Sequence, residues 1–183
     1  GWTIELWCFF FFEDEKTQRP LDPDLCVNYI LSTYRTWWRR QFEPENTYYV
    51  GFTDQSISGP TVGMALDIPS RVLWFTYRSS PAKMGMTFLH ELGHAMGRLH
   101  VNCGNPASID AQWPYPGCQL SNATASDYYG FDARQERVID PKKTADVMSY
   151  GGNVGKALWM SDYTYRALHL RIASPASSAS VAQ

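Results

Sequence analysis

Three of the four histidines in the chain fall within eleven residues, His90-Glu91-Leu92-Gly93-His94-Ala95-Met96-Gly97-Arg98-Leu99-His100. Residues four apart lie on one face of an α-helix, so His90 and His94 can direct their imidazole rings at the same ion. Glu91 is offset from His90 around the helix, and its carboxylate can contact a metal-bound water without being a ligand. Because Gly97 tolerates a positive φ, the chain can turn sharply and bring His100 back as a third ligand. Three imidazoles and one water form the open coordination sphere of a catalytic zinc site, with one ion per chain.

The two-histidine part of this pattern has an alternative explanation, because H-E-x-x-H also occurs by chance in unrelated proteins. The added G-x-x-H at this offset serves no packing role, and it makes a metal site the favoured interpretation. The fourth histidine, His169, lies far along the chain and is interpreted as an ordinary histidine of a helix face or the surface.

H-E-x-x-H-x-x-G-x-x-H is the signature of the metzincin clan of zinc endopeptidases, which this segment resembles. The clan also has a tight turn containing Met beneath the zinc, and residues 146–150, Asp-Val-Met-Ser-Tyr, look like that turn. The resemblance implies that Met148 packs under the imidazoles, whereas a core Met before a Gly-Gly turn is the simpler alternative. In astacins and serralysins a Tyr two residues after this Met approaches the zinc, and Tyr150 occupies the matching place. Other families of the clan carry other residues there, so whether Tyr150 binds zinc stays open.

A softer resemblance lies upstream, where residues 59–65 are similar to a strand region of the reprolysin (adamalysin) group. By that comparison the segment 71–77, from Arg71 to Tyr77, is the edge strand of the cleft. A protein or peptide substrate would bind it extended, through backbone pairing. The long interval between His100 and Met148 fits neither astacins nor adamalysins, so the family within the clan is left open.

These resemblances imply a secreted zinc-dependent endopeptidase. Glu91 would be the general base for the attacking water, and Tyr150 would hydrogen-bond the developing oxyanion. Two other functions are compatible with the same residues: a zinc hydrolase with a non-protein substrate, and a catalytically silent binding module of the same fold. The intact Glu91 argues against the silent module, because decayed enzymes commonly lose the base first.

The apolar pattern predicts an α+β fold with an α/β-type N-terminal lobe. That lobe would hold a twisted mixed sheet, a backing helix and an active-site helix that begins after Ser79-Ser80-Pro81 and ends at Gly97. A loop-rich C-terminal lobe that ends in a helix would follow, with the zinc cleft between the lobes. The predicted elements are strands 3–12, 47–53, 61–68 and 71–77, a helix from residue 22 to 42, an ordered loop over 102–127 and a helix over 162–172.

We therefore expect a single catalytic domain over residues 1–172, with an N-terminal lobe over 1–97 and a C-terminal lobe over 98–172. Residues 173–183 are rich in Ala and Ser and are predicted to form a flexible tail. The net charge is −2 and no basic stripe is present, which argues against nucleic acid as a partner. The apolar run 6–12 is too short to span a membrane. Oligomeric state is left open.

Four cysteines without C-x-x-C spacing argue against a zinc ribbon. Their even number suits two disulfides formed in an oxidising compartment, which favours a secreted protein. Cys103 and Cys118 bracket a Pro- and Gly-rich stretch and are predicted to pair, which leaves Cys8 with Cys26. Four buried free thiols are the alternative. Because the chain begins at Gly1 and not Met, an upstream signal or pro-segment is expected to have been removed.

Overall fold

The computed structural model describes residues 47–53, 61–76, 80–122, 124 and 129–173. Within these residues the chain forms two α-helices and three small sheets, which confirms the predicted α+β class. The predicted strand 3–12, the predicted helix 22–42, the Cys8–Cys26 pairing and the tail after Ala173 lie outside the described residues. Neither described helix is long and apolar enough to cross a membrane. The chain divides into two compact units, one ending at Ala95 and the other beginning at Met96.

The first unit contains a three-stranded sheet made of β1 (Tyr49–Thr53), β2 (Gly63–Ala65) and β3 (Val72–Thr76). The strand order is β1-β3-β2. β1 pairs with β3 in parallel and β2 pairs with β3 antiparallel, so the sheet is mixed, as predicted. β2 is shorter than the predicted strand over 61–68. Backbone hydrogen bonds continue its ladder at both ends, from Leu66 N–H to Val72 O and from Thr76 N–H to Val62 O.

The prediction that the segment from Arg71 to Tyr77 forms the edge strand is wrong. β3 has β1 on one side and β2 on the other, so both of its backbone edges are occupied. Four of its five residues are buried, and near-continuous burial of this kind is typical of a strand that is covered on both faces. Among the described strands, β2 is the antiparallel strand at the edge of this sheet.

The first helix, α1, spans Pro81–Ala95 and begins where the capping signal predicts. The hydroxyl of Ser80 accepts a hydrogen bond from the Lys83 N–H at 3.4 Å, and Pro81 occupies the first helical position. The helix ends two residues before Gly97, which has φ of 95°. A residue with a side chain is strained at this angle, so Gly97 allows the chain to leave the helix sharply.

The second unit contains two strand pairs and the second helix, α2. The antiparallel pair is β4 (Gly130–Asp132) with β5 (Arg137–Ile139), and the parallel pair is β6 (Thr144–Asp146) with β7 (Ala157–Trp159). α2 spans Asp162–Ala173, close to the predicted 162–172. The core of this unit includes Val101, Leu120, Val147, Met148 and Leu168.

Residues 102–122 form no helix or strand, as predicted, and a disulfide closes most of this loop. Cys103 and Cys118 are bonded to each other, which confirms the predicted pairing. Both backbone carbonyls of the pair accept hydrogen bonds from the turn over residues 146–150. Tyr150 N–H donates to Cys103 O at 2.9 Å, and Asp146 N–H donates to Cys118 O at 3.0 Å. The disulfide loop therefore holds both ends of that turn.

The turn is also held from inside by the Asp146 carboxylate, which is fully buried. One oxygen accepts the Met148 N–H at 2.7 Å, and the other accepts the Ser161 N–H at 2.9 Å. Burial raises the pKa of Asp146, although its hydrogen bonds with Ser161 and Met148 oppose this shift. One side chain thus joins the turn to the residue that precedes α2.

We expect Asp146→Ala to destabilise the protein by about 3 kcal/mol or more, because two buried N–H groups lose their acceptor. Urea unfolding followed by circular dichroism measures the change. Asp140→Ala is the matched control, since Asp140 also accepts a turn N–H, from Lys142 at 3.0 Å, but at an exposed position where water can replace it. If both variants lowered the free energy of unfolding by the same amount, the proposed role of the buried carboxylate would be contradicted.

Candidate metal centre

The three histidines of the sequence motif lie together. One ring nitrogen from each of His90, His94 and His100 is within 4.8 Å of the other two, a grouping that could hold a metal ion. The Nε2 atoms of His90 and His94 are 3.1 Å apart, as the one-turn spacing on α1 predicts. His94 and His100 are buried and His90 is partly exposed.

The third histidine, His100, is oriented by three hydrogen bonds to one short segment. Its Nδ1 lies 2.6 Å from the carbonyl oxygen of Ala107 and, as the donor in that bond, would leave Nε2 free to bind metal. Its backbone N–H donates to Ser108 O at 3.0 Å, and its carbonyl accepts from Asp110 N–H at 2.7 Å. Burial lowers the pKa of His100, while the bond to Ala107 opposes the shift. The neutral imidazole that burial favours is the form that binds metals.

Glu91 lies on α1 beside the first ligand, and its side chain is buried. Burial raises its pKa from 4.5 to about 7, and a backbone hydrogen bond from Ala65 partly opposes the shift. A metal cation bound to the neighbouring histidines would lower this pKa again, because it favours the carboxylate. Glu91 is therefore a buried carboxyl group that directly follows the first histidine of the candidate metal site.

Gly63 is what lets strand β2 lie against Glu91. A Cβ atom at position 63 would fall 2.8 Å from Cγ of Glu91 and 2.9 Å from Cγ2 of Thr87, closer than real contacts allow. Together with the Ala65 hydrogen bond, this contact fixes the edge strand beside the buried carboxylate. Neither Gly63 nor Ala65 was predicted from the sequence to lie at the site. The available signal was a glycine inside a strand, which often marks close backbone approach.

Tyr150 lies against the third histidine. Its ring centroid is 4.9 Å from that of His100 in an edge-to-face arrangement, and the residue is 38 % exposed. Gly104, at φ of 76°, makes room for it, since a Cβ there would overlap the Tyr150 carbonyl.

Met148 is fully buried, and its carbonyl accepts the N–H of Val101, the residue after His100. His169 is exposed on α2, stacked on Tyr165 and outside the histidine group.

A comparison with known protein families bears on this arrangement. Residues 79–166 match the family model of Peptidase M66. The match indicates a metallopeptidase. It begins just before α1, extends into α2 and includes all three histidines, so the predicted class of enzyme is confirmed. A search of curated proteins found no match to the chain.

The burial of Glu91 makes the stability of metal-stripped protein depend on pH. A carboxyl whose pKa is higher in the folded state than in the unfolded state binds its proton more tightly when folded. Well below pH 4.5 the carboxyl is protonated in both states, and Glu91 does not lower the free energy of unfolding. Between pH 4.5 and about 7 the unfolded state ionises more readily, so the free energy of unfolding falls as the pH rises. At pH 8 the decrease is on the order of 3 kcal/mol, at 1.36 kcal/mol for each pKa unit.

Glu91→Gln removes this ionisable group, so metal-stripped Glu91→Gln should be more stable than metal-stripped wild type at pH 8 and similar to it at pH 4. Urea unfolding at a series of pH values measures the difference. Every other ionisable group is present in both proteins, so subtracting one pH series from the other isolates the contribution of Glu91. A difference that does not change with pH would contradict the raised pKa.

Proposed function

We propose that the chain is a secreted zinc-dependent endopeptidase of the metzincin clan, with His90, His94 and His100 as zinc ligands and Glu91 as general base. The observation that carries the proposal is the three-histidine group with a buried carboxylate beside its first member. The family match supports peptide hydrolysis over other zinc-dependent reactions. The motif spacing and the buried Met148 in its turn support the clan.

The donor set fits zinc. Three neutral imidazoles suit zinc better than calcium or magnesium, which prefer oxygen ligands. Two nitrogens about 2.0–2.1 Å from one tetrahedral ion lie roughly 3.3 Å apart. The 3.1 Å separation of the His90 and His94 Nε2 atoms is close to this value. Three protein ligands leave a fourth position for water or substrate.

Bound zinc supplies Lewis acidity, which acidifies water and polarises a carbonyl group. Glu91 accepts the proton of the attacking water and then delivers it to the leaving amine nitrogen. The Tyr150 hydroxyl, on a ring adjacent to His100, donates a hydrogen bond to the oxyanion that develops on the substrate. The hydrogen bond from Nδ1 to the Ala107 carbonyl holds the His100 ring in place while negative charge develops on the substrate oxygen.

We further propose that the substrate is a protein segment bound in extended form along β2. Among the described strands it is the antiparallel strand at the edge of its sheet. It is also the strand that contacts Glu91, through Gly63 and Ala65. Backbone pairing at an edge gives affinity with little dependence on sequence. Secretion is supported by the Cys103–Cys118 disulfide, which forms in oxidising compartments.

The proposal predicts that the purified protein cleaves casein, that a zinc chelator stops cleavage and that added zinc restores it. Glu91→Gln should keep one zinc per chain, but its rate of cleavage should fall about 10²- to 10⁴-fold, because the substitution removes only the base. His94→Ala should lose both zinc and activity. Elemental analysis and a fluorescent casein assay measure these outcomes.

Glu136→Gln is the matched control, because Glu136 is exposed in the turn between β4 and β5, away from the metal ligands in sequence. It should keep wild-type activity. Zinc binding without cleavage of any protein would favour a silent module or a hydrolase of another substrate. Glu91→Gln with more than about a tenth of the wild-type rate would exclude Glu91 as the base.

Tyr150→Phe isolates the hydroxyl, because Phe keeps the ring that packs on His100. If the hydroxyl stabilises the oxyanion, kcat should fall about 10²-fold with little change in KM and unchanged zinc content. Steady-state kinetics on a peptide substrate measures both constants. Tyr165→Phe on α2 should have no effect. A Tyr150→Phe enzyme within about threefold of wild type would instead assign Tyr150 a packing role.

A further inference from the structure

We propose that Asp110 is a positioning residue for the third metal ligand. It anchors the segment over residues 107–110, which orients His100, to Arg98 and to helix α2. The inference rests on the proposed function, because it concerns the same metal ligand. Asp110 contacts His100 through its backbone, whose N–H donates to the His100 carbonyl. It acts through the backbone to which His100 is bonded.

The segment holds His100 at three points, through Ala107 O, Ser108 O and Asp110 N–H. Residues 107–109 are nevertheless exposed, so they have little apolar burial to keep them in place. Ser108 also has φ of 50°, a left-handed conformation that is unfavourable for a residue with a side chain. A segment of this kind needs anchors at its ends. Pro106 is buried at one end, and Asp110 is at the other.

The Asp110 side chain makes three contacts that can serve as the anchor. One carboxylate oxygen, Oδ2, is 2.8 Å from Nη2 of Arg98 and accepts the Tyr163 hydroxyl at 3.1 Å. The other oxygen accepts the Gln112 N–H at 2.9 Å. The side chains of Asp110 and Arg98 are only 10 % and 14 % exposed, so the pair is shielded from water. Removing one partner of a shielded pair leaves the other charge buried without compensation, which lowers the free energy of unfolding.

Arg98 and Tyr163 extend the anchor on both sides of Asp110. Arg98 lies within the G-x-x-H part of the motif, two residues before His100, and its guanidinium carbon is 4.6 Å from the centre of the Tyr163 ring. Tyr163 is in the first turn of α2 and makes an edge-to-face contact with Trp113. Asp110 therefore links the chain before His100, the segment after it and helix α2.

Asp110→Asn tests this role, because Asn has the same shape and can still accept the Gln112 N–H, but it loses the charge that pairs with Arg98. We expect the zinc dissociation constant to rise about 10- to 100-fold, as for other residues that orient metal-bound histidines. The visible absorption spectrum of the cobalt-substituted protein should also change, since it reports ligand geometry. Tyr163→Phe should shift both properties in the same direction by less, because Arg98 remains.

Asp132→Asn is the matched control. Asp132 also accepts N–H groups of its own turn, from Arg134 at 3.0 Å and Gln135 at 3.1 Å, and lies 3.8 Å from Arg137. It has no hydrogen bond to the segment over residues 107–110. Its substitution should leave zinc affinity and the cobalt spectrum unchanged, even where it lowers the melting temperature.

Zinc competition against a chromophoric chelator, on protein shown to be folded by circular dichroism, gives the deciding measurement. Wild-type zinc affinity and cobalt spectrum in Asp110→Asn would overturn the positioning role and leave the proposed function intact. If Asp110→Asn does not fold, Tyr163→Phe decides, and an unchanged affinity in that variant would overturn the role. A wild-type protein that binds no zinc and cleaves no protein would overturn both proposals.

Discussion

An α-helix can direct two imidazoles at one ion from a single turn, but the third ligand must come from elsewhere. In this chain it comes from six residues further on, after α1 ends and Gly97 turns the backbone at φ of 95°. His100 is thus a loop residue that must be held as accurately as a helical one. The backbone of residues 107–110 meets this requirement through three hydrogen bonds to His100.

Polar contacts connect this segment, and the turn over residues 146–150, to other parts of the second unit. Two of its carboxylates, Asp110 and Asp146, each join segments that are distant in sequence. Asp146 links the turn that carries Met148 to the residue before α2. Helix α2 is consequently part of the support for both the third ligand and the turn. Hydrogen bonds depend on distance and angle, so polar contacts of this kind favour one arrangement, whereas apolar packing tolerates several.

The eleven-residue motif, the start of α1 and the Cys103–Cys118 pair could all be predicted because each depends on short-range rules of spacing, capping and loop closure. The position of β3 inside its sheet could not, since strand order depends on partners distant in sequence. The same holds for the contact of Gly63 with Glu91, which requires the packing of a strand on a helix. Asp110 was missed for a related reason. Its partner Tyr163 is 53 residues away, and a loop rich in Pro and Gly has no periodicity that marks an anchor.

The Cys103–Cys118 disulfide has a consequence for how the metal is acquired. Closing a loop of 15 residues stabilises a fold by about 3 kcal/mol, mainly by restricting the unfolded chain. This contribution does not depend on metal. In zinc fingers the metal drives folding, and removing it unfolds the domain. Here covalent closure and backbone hydrogen bonds order the segment that holds His100 and the turn over residues 146–150 without a metal ion. We therefore expect the protein to stay folded when metal is removed, and to take the ion up at a site that is already partly organised.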